Sequence, residues 1–109
     1  MAESRNKRVL IVDNNEEESR TLGFMLKRAG YDSSATWSGL GALELLKSRE
    51  YDILLVSSYL PDLYVGDFFE RLSRLPSQPC SIVMQEGRTP AATLREMKNM
   101  VGEEQCQEK

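Results

Sequence analysis

Histidine is absent from the 109 residues. Imidazole general-base catalysis, histidine–metal ligation and a phosphohistidine role within this chain are thereby excluded. Cysteine occurs twice, at Cys80 and Cys106, without the paired spacing of a zinc or redox motif. Cys80 falls in an apolar stretch and Cys106 in a polar one, so two unrelated thiols are expected rather than a disulfide. Long apolar runs are lacking as well. The longest, Val9–Val12 and Ile53–Val56, hold four residues each, where a membrane span needs about 20. No basic start leads into an apolar segment of secretory type, so the expected compartment is the cytoplasm. Positive charge is not in excess. The net charge of −3 argues against nucleic-acid binding by bulk electrostatics. What remains, 40% hydrophobic and 28% charged residues, suffices for one packed core and one domain.

The polar residues 1–7 are expected to be frayed, residues 8–102 to form the domain, and residues 103–109 to be a polar tail. Arg8–Val12 is a short β-branched run of the kind that forms a strand buried on both faces. It stops at Asp13-Asn14-Asn15. Asn15 followed by Glu18 reads as a helix start of capping-box type, and Glu16–Glu18 suit the positive end of a helix dipole. Leu22, Met25, Leu26 and Ala29 continue with helical period, and Lys27, Arg28 and Gly30 close the helix. The pattern then recurs. Residues 31–36 form a weak strand and 38–48 a helix, then Asp52–Ser57 a second strong strand. Residues 64–75 carry Phe68, Leu72 and Leu75 at helical spacing, and 79–85 is a further strand. Thr89 as cap with Pro90 at the first helical position opens a last helix running to Gly102. Strand and helix alternate four times with short links, which demands a parallel sheet with helices on both faces and right-handed crossovers. The two strong strands end in Asp13-Asn14 and Ser57-Ser58, and function in such sheets collects at the C-terminal strand ends.

The stretches RVLIVDNNEEESR at 8–20 and AGYDSSATWSGLGALELLKSREYDILLVSSYLPDLYVGDFFERL at 29–72 resemble the bacterial response-regulator receiver family. Gly39, Ala42-Leu43, Pro61-Asp62 and Gly66 hold the family's characteristic places, and the likeness covers roughly residues 8–85. It implies a flavodoxin-like, doubly wound α/β fold. The sequence supplies about four strands for it, in the order 2-1-3-4, with helices on both faces. Residues 89–102 are similar to the final helix of a chemotaxis-type receiver; the alternative is a fourth helix after which the chain stops before a fifth strand.

Against that family pattern the chemistry is depleted. A receiver needs a carboxylate nucleophile to form an acyl phosphate and an acidic pair to hold Mg²⁺. The phospho-acceptor position, four residues before Pro61, is Ser57. The acidic pair is Asp13-Asn14, with one carboxylate left. The hydroxyl residue expected at the end of the fourth strand is replaced by Met84, or by Gln85 if the alignment slips by one, and no Lys-Pro pair follows. Asp13 is therefore expected as a polar strand end rather than a metal ligand, Ser57 as a neutral hydroxyl, and Met84 as packing. No catalytic residue, metal or cofactor is expected, and no enzymatic activity. Tyr59, Tyr64 and Val65 form a possible partner-contact patch, with Leu60 assigned to the core; Trp37 is either a cover over the degenerate pocket or a surface anchor. The resemblance thus implies a pseudo-receiver that binds another signalling protein without a phosphoryl switch. Its rival is a working receiver using Asp62 or Asp52. Without a fifth strand the apolar segment Cys80–Gln85 is left at a sheet edge, where it is either covered by the last helix or paired with a second copy.

Overall fold

The fold is described by a computed structural model, for residues 7–76 and 78–102. The expectations for residues 1–6 and 103–109, and for Cys106, lie outside the described residues. The elements are β1 (Arg8–Val12), α1 (Glu16–Arg28), β2 (Asp32–Thr36), α2 (Gly39–Ser48), β3 (Ile53–Ser57), α3 (Val65–Leu72), β4 (Cys80–Met84) and α4 (Pro90–Gly102). The uninterrupted apolar runs became the two central strands, because only a strand covered on both faces gains from apolar residues at every position. All pairings are parallel and the order is β2-β1-β3-β4, as the sequence implied.

Local chemistry fixes the helix ends. The Asn15 side chain accepts from the Glu18 N–H at the start of α1. Gly30, at φ +96, terminates the same helix while the Tyr31 N–H returns to the Leu26 carbonyl, the Schellman closure that favours glycine. The Thr89 hydroxyl accepts from the Ala92 N–H one residue ahead of Pro90. Helix α3 stops at Leu72 rather than 75, and the Gln78 amide donates to the Leu72 and Leu75 carbonyls across the following turn.

Two cores lie on opposite faces of the sheet. Leu10, Val12, Leu54 and Val56 pack with α2 and α3 on one face. Val9, Ile11, Ile53 and Leu55 pack with Leu22 and Leu26 of α1 and Met97 of α4 on the other. This placement decides what α4 is. The chain moves from β1 to β2 in one direction and from β2 through β3 to β4 in the other, so right-handed crossovers put α1 on one face and α2 and α3 on the opposite one. A helix leading on to a fifth strand beyond β4 would join α2 and α3. Helix α4 packs beside α1 instead. It is a terminal return helix, not a crossover, which favours the reading of 89–102 as the family's final helix.

Both outer strands are edges. Strand β2 is Asp-Ser-Ser-Ala-Thr and largely exposed, a polar edge that discourages pairing. Strand β4 is apolar, with Ile82 buried against the α1–α4 side and Val83 half-buried against the α2–α3 side. Its side chains therefore point into the two cores, and the edge offers backbone only. Since the Cys80 N–H and the Met84 carbonyl both engage the β3 side, alternation turns the N–H and C=O groups of Ser81 and Val83 outward. Among the described residues nothing pairs with them. Helix α4 covers a face of β4, not this edge. One expectation is corrected here: Cys80 is disulfide-bonded, not an isolated thiol.

Candidate functional site

The C-terminal ends of β1, β3 and β4 converge on a cleft of about 230 Å³. The Asp13 N–H donates to the Thr36 carbonyl at 3.0 Å, extending the β1–β2 ladder by one residue, and this tucks the Asp13 side chain in to 8% exposure. Its Oδ1 accepts from the Asn15 N–H at 3.0 Å. That N–H is the donor to which a capping-box glutamate would reach back, so Asp13 has taken the place of Glu18 and the box is half made. The Glu18 carboxyl is left beside Asp13. Lost hydration, then the negative charge of Asp13 and a hydrogen bond with it, push Glu18 above the usual carboxylate range.

Opposite lies the end of β3. Ser57 is paired in register with Met84, the Ser58 N–H donates to the Met84 carbonyl at 3.1 Å, and the Ser57 hydroxyl accepts from the Tyr59 N–H at 3.2 Å. The structure thus brings together Asp13, Asn14, Ser57 and Met84, the four pocket positions singled out from sequence, with Tyr59 at the rim. Met84 also packs on the core that holds Met97. Among the lining residues not anticipated there are Glu18, read only as a helix cap, and Glu86, Arg88 and Thr93, which carry no local signal. Thr93 is buried at the start of α4, and Arg88 is ion-paired with Glu96.

Tyr64 and Val65 do not line this cleft. They lie with Tyr59 along a neighbouring groove of about 640 Å³ formed by residues 58–67. The groove is tied to α2 by Asp62, whose two carboxylate oxygens accept from the Gly39 and Leu40 N–H groups, each at 2.9 Å. With the Ser38 hydroxyl on the Gly41 N–H, all three first-turn donors of α2 are satisfied. Burial alone would raise Asp62, but the Leu40 and Gly39 donors outweigh it and hold the carboxyl below its usual range. Gly39 suits this junction: a Cβ there would come within 3.1 Å of Leu63 and 3.2 Å of Leu60. Asp52, the other carboxylate of the rival reading, sits at the opposite end of the sheet, accepting from the Arg8 N–H at 2.7 Å. Trp37 is 67% exposed and is not among the residues lining the cleft, which places it on the surface rather than over the pocket.

No protein-family model matches the chain. The polar-differentiation response regulators DivK of Brucella ovis and Brucella suis are 33% identical to it over 57 residues, 52% of this chain and 46% of theirs. The match thus spans about half the length of these relatives. Solved structures extend the likeness to nearly the whole chain. A CheY-like response-regulator receiver domain from Methanospirillum hungatei superposes with a TM-score of 0.78 at 16% identity, covering 93% of this chain and 98% of that one. The receiver domain of an HD-domain protein from Pseudomonas fluorescens gives 0.80 at 17% identity, with 94% and 92% covered. In sheet order, helix placement and these superpositions, the chain has the CheY-like receiver fold.

Proposed function

We propose that the chain acts in bacterial two-component signalling as a phosphorylation-independent protein–protein interaction module whose partner is another signalling protein. The observation that carries this reading is the end of β3, where a hydroxyl, Ser57, stands in the cleft beside Asp13. A serine ester would lack the reactivity of an acyl phosphate, and no histidine is present to act as its base. The two carboxylates of the rival reading are occupied. Asp62 caps α2 and Asp52 holds the start of β1.

The Mg²⁺ ion that the receiver fold implies does not fit the donors present. Mg²⁺ favours near-octahedral oxygen ligation through one or two carboxylates with waters. Here Asp13 already gives its Oδ1 to the Asn15 N–H, and Asn14 and Ser57 add no carboxylate beside it. Among the described residues no group of three or more acidic, histidine or cysteine side chains is arranged for a metal. Met84, where a hydroxyl residue is implied, is anchored in the core beneath and offers phosphate no hydrogen bond.

Recognition is then a property of surfaces. Tyr59, Tyr64 and Val65 along the 58–67 groove are the proposed contacts. The β4 edge is a second, through which two copies of the chain would pair backbone to backbone. Nucleic acid and membrane are not part of the proposal. Among the described residues no helix is long and apolar enough to span a membrane, and the proposed setting is the cytoplasm. The reading is tested by amide NMR with Mg²⁺ and beryllofluoride. The expected result is no saturable shift around Asp13 and Ser57 at low-millimolar Mg²⁺; saturable shifts at those amides would overturn it.

A further inference from the structure

The groove beside the cleft has a chemistry that selects its partner, an inference that deepens the proposed interaction role and rests on it. Three aromatic side chains stand out at one end of the sheet: Trp37 at 67% exposure, Tyr59 at 69% and Tyr64 at 84%. The Asp62 bonds to Gly39 and Leu40 tie the start of the helix that follows Trp37 to the loop bearing the tyrosines, so the segments that carry the rings are braced together. Around them the charge is of one sign. Asp62 and Asp67 line the groove, and Asp13, Glu18 and Glu86 line the adjoining cleft. No Lys or Arg lines the groove. The single Arg of the cleft, Arg88, is paired with Glu96.

Elsewhere the chain does provide a cation for an exposed ring. The Arg28 guanidinium lies over Phe24 at 5.7 Å from its centroid. Among the described residues no such cation covers Trp37, Tyr59 or Tyr64. Electron-rich faces flanked by carboxylates attract a guanidinium twice, by the ring quadrupole and by the ionic field, and a planar guanidinium both stacks and hydrogen-bonds where an ammonium does only the second well. We propose that this aromatic and acidic surface docks an arginine-bearing segment of a partner protein.

Trp37 is the only tryptophan, so its emission reports on the surface directly. The experiment titrates the full chain at low salt with a nona-arginine peptide, and in parallel with nona-lysine and nona-glutamate. A Tyr59→Ala/Tyr64→Ala variant, whose fold is checked by far-UV circular dichroism, keeps every charge. The expected result is a saturable Trp37 change with nona-arginine, weaker binding of nona-lysine and none of nona-glutamate. The variant should lose about tenfold in affinity for nona-arginine. Absence of saturation, equal affinity for the two cationic peptides, or unchanged affinity in the variant would overturn the inference, the last two by showing that charge alone is read. A Trp37 change produced by raising protein concentration without peptide would assign the surface to a second copy and overturn it too. Failure here leaves the phosphate-free reading standing, since that reading falls on Mg²⁺ or beryllofluoride shifts in the cleft or on a phosphoryl gain, none of which the peptide titration reads.

Discussion

Replacing Asp62 by alanine removes the acceptor for two N–H groups that have no other partner in the first turn of α2. The Leu40 N–H is on an exposed residue and turns to water. Gly39 is buried, so its N–H is stranded behind Leu60 and Leu63. Losing an N-terminal cap acceptor costs about 1 kcal/mol. Leaving a buried donor unpaired adds roughly 1 kcal/mol more. The Ser38 hydroxyl still serves Gly41 at 3.0 Å, which limits the damage to about 2 kcal/mol, or a fall in Tm of roughly 8–16 °C for a domain of this size. Asp62→Asn keeps one acceptor and should lose about half as much.

The pH dependence carries its own sign. The folded carboxyl lies below its ordinary value of 3.8. Its contribution is therefore complete above that ordinary value and disappears as pH falls through the depressed folded value. The margin of wild type over Asp62→Ala should be flat through neutral pH and shrink below about pH 4. Urea unfolding monitored by far-UV circular dichroism at several pH values measures both. A variant within about 0.5 kcal/mol of wild type, or a margin that persists undiminished in acid, would refute the assignment of Asp62 as the structural clasp of α2.

The other perturbations probe the cleft, the last helix and the edge. Asn14→Asp with Ser57→Asp adds two carboxylates beside Asp13 and Glu18 and should cost on the order of 1–3 kcal/mol in chelator; Mg²⁺ should recover part of it by binding only the folded state, and equal stability in chelator would mean the pocket is not assembled as described. Met97→Ala empties a fully buried position where α4 meets α1 and the sheet, and should cost about 2–5 kcal/mol in denaturant unfolding; a loss below about 1 kcal/mol would detach α4 from the core. Ser81→Pro removes an outward N–H from β4 while leaving the β3 side paired, since proline is tolerated at such edges. Sedimentation equilibrium should find a dimer that this change dissociates, and a dimer that survives it, or a wild type that stays monomeric, would remove the β4 edge as a self-association site.

The parts of the fold that were legible in the sequence are those with a local signature. Strands β1 and β3 announce themselves because burial on both faces permits only apolar residues, and the caps at Asn15 and Thr89 sit within three residues of the N–H groups they accept from. Strand β2 was weak for the converse reason. An edge strand of Asp-Ser-Ser-Ala-Thr is held by its ladder to β1 rather than by its side chains. The face taken by α4 was ambiguous because the sequence 89–102 is amphipathic in either place, and only its contact with α1 resolves it. Asp62 was visible as part of a family signature, but its partners lie 22 and 23 residues away and no local pattern names them. Glu18 shows the same limit at short range. Its spacing from Asn15 indicated a capping box, yet Asp13 reached the Asn15 N–H first, which released Glu18 into the cleft.

The central claim is that the cleft holding Asp13 and Ser57 accepts no phosphoryl group, and intact-mass spectrometry after incubation with acetyl phosphate and Mg²⁺ tests it most directly. Wild type is expected to retain its unmodified mass throughout the incubation, with Asp52 and Asp62 committed to backbone N–H groups. A stable gain of one phosphoryl group, on any residue of the folded chain, would contradict it.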